Sequence, residues 1–349
     1  MGGGWRSGCP RTIVIGVNWL GDTIMSLPAL AALREHLREE EIHIEAPVFL
    51  GALVRLAVPV DGILARGNDV STARRIRQLR EGGYHRAVLF PNSFRAAWIA
   101  WCARIPERWG YTGHWRRWLL SSSVLRRTPA HGIHHSEFYL ELVRSLGWTG
   151  PRTPPVRLTL RDESLTWARK VVGGGPRPGP LVGICPGATY GPAKRWRTSG
   201  FVEVACVLKE RHGAKILLMG SAQEAAFIHG MADALGPGAL DTSGRTDSEQ
   251  LAALLSLCDL VIANDSGPMH LASVLGVPVV AIFGSTDPSA TGPMGPHRVV
   301  KAPVECSPCL RRTCPDGSYR CLEGITPAQV LASAEALLEG AVSDLGSLP

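Results

Sequence analysis

The segment Asp259–Pro288, DLVIANDSGPMHLASVLGVPVVAIFGSTDP, constrains the fold of this chain more than any other. Leu260–Ala263 is a short apolar run that breaks at the turn Asn264-Asp265-Ser266-Gly267. Met269–Leu275 has helical periodicity and stops at Gly276, and Val277–Phe283 is a second apolar run of strand length. Strand, turn, helix and strand in that order make an α/β crossover unit. Its polar residues gather where strand gives way to helix. Backbone N–H groups at a helix start carry partial positive charge and favour an anion such as phosphate. Gly267 lets a ligand approach the main chain, Asp265 and Ser266 are of the type that caps a helix, and His270 falls on the first turn, facing the same crevice. A capped turn without a ligand would use the same residues, so this segment alone defines architecture rather than function.

The alternation recurs along the chain. Thr12–Val17 reads as a strand, and Thr23–Leu37 as a helix with its apolar stripe on Ile24, Leu27, Leu30, Ala31 and Leu37. Glu41–Ala46 and His85–Phe90 read as strands on either side of a basic helix, Ser71–Glu81. Pro and Gly then cluster around Pro151–Pro155 and again at Gly173–Pro180, with a short helix, Asp162–Val172, between them. A second series follows: strand Leu181–Cys185, helix Phe201–Arg211, strand Lys215–Met219, helices Ala222–Leu235 and Ser248–Cys258, and a closing helix Pro327–Leu338. With 349 residues the chain is long for one core. The expectation is two doubly wound α/β domains, 1–160 and 161–349, facing each other across a cleft, with ligands at the carboxyl ends of their strands.

Charge divides the two halves. Residues 1–165 hold 22 arginines, no lysine and 14 acidic residues, whereas residues 166–349 are close to neutral. A basic half fits an anionic partner, although Arg-rich usage with solvated charges would look the same. No apolar run reaches membrane-spanning length, and the first eleven residues lack the apolar core of a signal peptide, so a cytoplasmic chain is expected. Nine cysteines, four of them scattered at Cys102, Cys185, Cys206 and Cys258, fit reduced thiols better than a disulfide framework.

Neither opening strand is followed by G-x-G-x-x-G or by the phosphate loop G-x-x-x-x-G-K-[ST], which argues against a dehydrogenase and an ordinary nucleoside triphosphatase. In their places stand Asn18-Trp19-Leu20-Gly21-Asp22 and Pro186-Gly187-Ala188-Thr189-Tyr190-Gly191-Pro192-Ala193-Lys194-Arg195-Trp196. These two segments, with SGRT at 243–246, NDSGPMHLA at 264–272 and the C-x-P-C tail, together resemble glycosyltransferase family 9. Each motif alone is weak; five in order, from about Ile13 to about Val330, make a specific signal.

That resemblance implies the two-Rossmann-domain architecture called GT-B, with an acceptor-binding first domain and a nucleotide-sugar-binding second one. It implies inverting transfer of L-glycero-D-manno-heptose from ADP-heptose to the inner core of lipopolysaccharide, the second heptose in particular, with no metal or cofactor required. Asp22 matches the base position and Lys194 the group that holds the departing diphosphate. A helix-start carboxylate is, however, a weakened base and more often a cap. Thr189, Asp265, Ser266, Gly267 and His270 match the nucleotide-sugar site, with Ser266 on phosphate and Asp265 on sugar hydroxyls. Glu224 matches the position that binds the ribose hydroxyls of ADP. A nucleotide-sugar 2-epimerase of the same architecture, or a non-catalytic glycolipid- or nucleotide-binding protein, are the alternatives.

An anionic lipopolysaccharide core acceptor suits the basic half, and peripheral contact with the cytoplasmic face of the inner membrane goes with it. Arg74, Arg75, Arg77 and Arg80 form one basic face. Arg95–Arg104, carrying Trp98 and Trp101, and Trp115-Arg116-Arg117-Trp118 combine Arg with tryptophan as a membrane interface favours. A core helix explains Trp98–Cys102 equally well. No nucleic-acid motif accompanies these runs. Cys306, Cys309, Cys314 and Cys321, spaced C-x2-C-x4-C-x6-C, resemble a structural zinc or iron–sulfur knuckle, with free thiols or a disulfide pair as the other readings.

Overall fold

The structure, a computed structural model, describes residues 9–67, 69–125, 133–150 and 153–345. Residues 1–8 of the N-terminal segment read above for a leader, and Pro151 in the expected linker, lie outside the described residues. The chain forms two compact units, Met1–Arg157 and Leu158–Pro349.

In the first unit six parallel strands, β1 (Arg11–Ile15), β2 (Glu41–Pro47), β3 (Gly62–Arg66), β4 (Arg86–Leu89), β5 (Glu107–Tyr111) and β6 (Ser122–Val124), lie in the order β3-β2-β1-β4-β5-β6. Helices α1 (Leu20–His36), α2 (Val48–Ala57), α3 (Thr72–Glu81), α4 (Phe94–Cys102) and α5 (His135–Arg144) cover it. The second unit has α6 (Asp162–Val172), α7 (Thr198–His212), α8 (Ala225–Leu235), α9 (Ser248–Ser256), α10 (Gly267–Val274), α11 (Pro288–Thr291), α12 (Arg320–Glu323) and α13 (Pro327–Leu345). Its strands β7 (Leu181–Cys185), β8 (Lys215–Leu218), β9 (Leu240–Asp241), β10 (Leu260–Asn264), β11 (Val279–Ile282) and β12 (His297–Val300) are again all parallel, in the order β12-β11-β10-β7-β8-β9. Both orders are the Rossmann order, with one reversal of winding in each sheet: between β1 and β4, and between β7 and β10.

The central strands are buried on both faces. Every residue of β7 (LVGIC), β10 (LVIAN) and β11 (VVAI) is buried, which is why these strands read as unbroken apolar runs rather than alternating ones. Ile184, Ile216, Ile262 and Ile282 meet Phe201 and Leu208 of α7 in one apolar cluster, while Ile13, Ile15 and Leu89 meet Ala97, Ile99 and Ala100 of α4 in another. Helix α1 is buried beyond the expected stripe: Thr23, Met25, Ser26 and Pro28 are enclosed too, and α5 packs along it. Helix α9 starts on a capping box, in which Asp247 accepts from the Gln250 N–H and Gln250 accepts in return. Helix α8 begins three residues later than periodicity suggests, because Ser221–Glu224 closes into its own turn, with the Glu224 N–H donating to the Ser221 carbonyl.

Candidate active site

The switch point of the second sheet brings together the two loops singled out in the sequence. Asn264, fully buried at the end of β10, joins them. Its Nδ2 donates to the Pro186 carbonyl at 2.6 Å, and its Oδ1 accepts from the Trp196 N–H at 3.1 Å. The sequence reading named this residue as part of a turn and a motif but gave it no role; a buried Asn closing an apolar strand is the signal it carried. Trp196 anchors the far end of its loop, buried against Phe201, with Nε1 donating to the Ile325 carbonyl. The loop between them turns through Pro192–Lys194 and presents Lys194.

Lys194 Nζ lies 2.5 Å from Asp265 Oδ2, with side-chain exposures of 11% and 3%. Thr286, also absent from the sequence reading, donates its hydroxyl to the same Asp265 oxygen at 2.5 Å. Asp265 therefore does not cap α10. Ser266 holds the N-cap position, yet its hydroxyl makes no cap bond and is buried without a hydrogen-bond partner. Capping fails because Asp265 is drawn to a full positive charge, a stronger partner than a backbone amide. Lys194 also stands 4.7 Å from the Tyr190 ring centroid, with Arg312 at 5.1 Å from the same ring. His270 is buried in the first turn of α10; Thr189 is exposed at the loop tip.

Glu224 is buried at the start of α8, with Oε2 accepting from the Ser221 N–H (2.9 Å) and hydroxyl (2.8 Å). Its other oxygen lies against the α-carbon of Gly187, where a Cβ would stand 2.0 Å from it. Gly187 thus admits the carboxylate to the start of the Lys194 loop. The thiol of Cys185, just below, is pushed up by burial, with the Cys258 and Glu224 charges adding to it.

In the first unit the loop after β1 is fastened from the side. The Gly16 N–H donates to the Glu45 carbonyl at 2.8 Å, and Arg66 donates to Asn18 Oδ1. Glu45, 1% exposed, takes a bidentate pair from Arg75. Arg75 is consequently buried and does not belong to the basic face; Arg74, Arg77 and Arg80 remain exposed. The lone acidic residue buried on β2 captures the arginine that α3 turns inward. Trp19, 47% exposed, is the N-cap of α1 without a side-chain bond, and Asp22 sits inside the first turn rather than at the cap. The Tyr139 hydroxyl of α5, buried against Phe90, is pushed up by burial first and by the Asp22 charge second. A surface hollow lined by Glu35–Glu40 and Gly147–Gly150 lies at the other end of α1, away from Asp22.

The four clustered cysteines are free thiols, from exposed Cys306 to buried Cys321. Burial pushes the Cys321 thiol up, with Cys306 and Cys309 adding to it. Among the described residues no group of three or more His, Cys, Asp or Glu side chains is arranged to hold a metal ion. The expected knuckle at Cys306, Cys309, Cys314 and Cys321 is thus not assembled as a ligand set. Cys314 donates instead to Asp316 Oδ1 at 2.9 Å. The surrounding loop braces the Lys194 loop: the Arg312 carbonyl accepts from the Ala193 N–H, the Leu310 carbonyl from the Tyr190 hydroxyl, and the Leu310 N–H donates to Ser285.

Two parallel Rossmann-type units are the GT-B architecture, and the second carries a cation and carboxylates at its switch point. The sequence profile of glycosyltransferase family 9 (heptosyltransferase) matches residues 72–320, and the chain belongs to that family. It is 30% identical to lipopolysaccharide heptosyltransferase 2 of Salmonella typhimurium, over 94% of this chain and 98% of that protein. It is 28% identical to lipooligosaccharide heptosyltransferase 2 of Haemophilus ducreyi, over 94% and 99%. Among solved structures, Escherichia coli ADP-heptose lipopolysaccharide heptosyltransferase II is similar with a TM-score of 0.80 at 28% identity, covering 95% of this chain and 99% of that one. A family 9 glycosyl transferase of Veillonella parvula shares the fold, with a TM-score of 0.85 at 23% identity over 95% and 98%.

Proposed function

We propose that this chain transfers L-glycero-D-manno-heptose from ADP-heptose to the inner core of lipopolysaccharide, adding the second heptose, with inversion and without a metal. The observation that carries this reading is the Lys194–Asp265 pair at the switch point of the second sheet, where α/β folds bind nucleotides. In the proposed reaction Asp22 takes the proton of the acceptor hydroxyl. The hydroxyl oxygen then bonds to the anomeric carbon from the face opposite the diphosphate. The carbon–oxygen bond to the β-phosphate breaks, and ADP leaves with the electron pair and inverted configuration behind it.

Lys194 meets the charge that develops on the diphosphate, the Ser266 hydroxyl and the N–H groups of α10 take its oxygens, and Asp265 turns to the heptose hydroxyls. Thr189, Gly267 and His270 complete the donor site, and Glu224 binds the ribose diol. The phosphate-bearing, lipid-borne acceptor meets the arginine-rich first unit, which works in peripheral contact with the cytoplasmic face of the inner membrane.

The test is to incubate the chain with ADP-heptose and a lipopolysaccharide core truncated after its first heptose. One added heptose per acceptor, an equal amount of ADP and an inverted linkage are expected. A donor sugar altered without any acceptor would mark an epimerase, and donor bound without turnover would mark a binding protein; either result overturns the reading.

A further inference from the structure

Trp115 and Trp118 are 86% and 82% exposed, the most exposed large apolar side chains among the described residues. The residue beside them is the opposite. Arg116 is fully buried, with Nε donating to the Tyr111 carbonyl at 2.7 Å and Nη1 to the carbonyls of Pro91 (2.7 Å) and Ser93 (3.3 Å). Its Nη2 faces the α-carbon of Gly110 and is buried without a hydrogen-bond partner. His114 and Trp115 both hold left-handed backbone, with φ of 47° and 58°. A buried guanidinium bonded only to carbonyls and two successive left-handed residues are each costly. A loose loop would need neither. Arg116 acts as a rivet that fixes the turn between β5 and β6 and holds both indoles out in water.

Helix α4 packs against this turn and presents Phe94, Trp98 and Trp101, which are 47%, 38% and 51% exposed, while Ala97, Ile99 and Ala100 fill the core. The core-helix reading of Trp98–Cys102 therefore fails for its aromatic residues: small side chains occupy the inner face and the indoles point out. From Arg95 to Trp118 the sequence holds five arginines and a single acidic residue, Glu107. That carboxylate is committed to Arg86 at 2.8 Å. Arg95, Arg104 and Arg117 are exposed. The turn follows β5 and its anchor points follow β4, so both leave the carboxyl edge of the parallel sheet, the edge at which the Asp22 loop follows β1.

We propose that Trp115 and Trp118, with Arg117 between them and Arg95 next to the Ser93 segment that Arg116 holds, form a rigid anchor that docks the first unit on an anionic phospholipid bilayer. Indoles held at headgroup depth beside guanidinium groups match such an interface in both polarity and charge. The placement on the Asp22 edge rests on the functional reading above, because it would bring the base to a lipid-borne acceptor. The bilayer contact gives a surface to the membrane contact of that reading, and vesicle binding tests it apart from transfer.

The experiment uses the full chain and vesicles of phosphatidylglycerol with phosphatidylethanolamine, against vesicles of phosphatidylcholine. The wild type is expected to bind the anionic vesicles, and less so as salt rises. Trp115→Ser/Trp118→Ser should keep its thermal midpoint and lose binding at least ~10-fold, and Arg117→Glu should weaken binding and flatten its salt dependence. With a water-soluble core oligosaccharide as acceptor, turnover of the double variant should match wild type; with the acceptor embedded in vesicles it should fall. Double-variant binding equal to wild type would overturn the proposal. So would an equal loss of turnover on the soluble acceptor, which would give these indoles to sugar stacking instead. If the wild type shows no transfer at all, the vesicle arm still decides the anchor.

Discussion

Lys194 and Asp265 pair across 2.5 Å, with both side chains largely enclosed, so each is the other's counter-charge. Removing one partner strands a buried charge and costs about 3 kcal/mol of stability. Lys194→Ala should therefore lower the thermal midpoint and abolish most turnover, while Lys194→Met/Asp265→Asn should recover stability without recovering activity. If the double variant stays as unstable as the single one, the pair is not the source of the loss. His43 allows a separate test. Burial holds its imidazole below the ordinary value, against the pull of Glu41, and it lies 2.9 Å from the Tyr84 hydroxyl. As pH falls below 6.5 the unfolded chain binds a proton that the folded chain refuses, so stability drops toward the folded pKa. His43→Gln should remove that part of the acid limb in thermal melts between about pH 7 and 5; an unchanged slope would assign the limb elsewhere. Both partners of the Lys194–Asp265 pair were legible in the sequence as motif residues. Their pairing was not, since it depends on which strands lie side by side.

At the level of elements, the site is two loops latched by Asn264. Asn264→Ala removes a donor to Pro186 and an acceptor for Trp196, both buried, and should cost about 1–3 kcal/mol. It should also weaken ADP binding, read by calorimetry, though Asn264 faces the loops rather than a ligand. ADP affinity unchanged in a folded variant would mean that the loops hold their shape without the latch. Gly187→Ala should act on the same element from the other side, displacing the Glu224 carboxylate that lies over the glycine. The strands were legible because parallel strands buried on both faces are written as apolar runs, as in LVGIC and LVIAN. Arg75 was misplaced for a physical reason. Helical spacing put it on the basic face of α3, but Glu45, invisible as a partner until β2 and α3 are packed, draws it inward. The cysteine spacing left a metal knuckle, free thiols and a disulfide pair open; the structure has free thiols there, in a loop whose Leu310 and Arg312 carbonyls brace the Lys194 loop.

For the whole molecule, two sheets with the same strand order carry different halves of the proposed chemistry. The residues proposed to bind the donor all belong to the unit Leu158–Pro349, whose apolar cluster is drawn from its own strands and helices. A fragment beginning at Leu158 should therefore bind ADP with affinity near that of the full chain and transfer nothing; failure to bind ADP when folded would contradict the assignment of the donor site. The proposed base, Asp22, lies in the other unit, and its role is the claim on which the account turns. Asp22 is inside the first turn of α1 rather than at its N-cap, and Asp22→Asn changes little in size. The decisive measurement is turnover of ADP-heptose with a core acceptor by wild type and Asp22→Asn, alongside thermal midpoint and ADP-heptose affinity on the same preparations. A variant that melts and binds donor like wild type but turns over ~10²-fold slower or worse is the predicted result. Turnover within a few-fold of wild type would contradict it and remove Asp22 as the base.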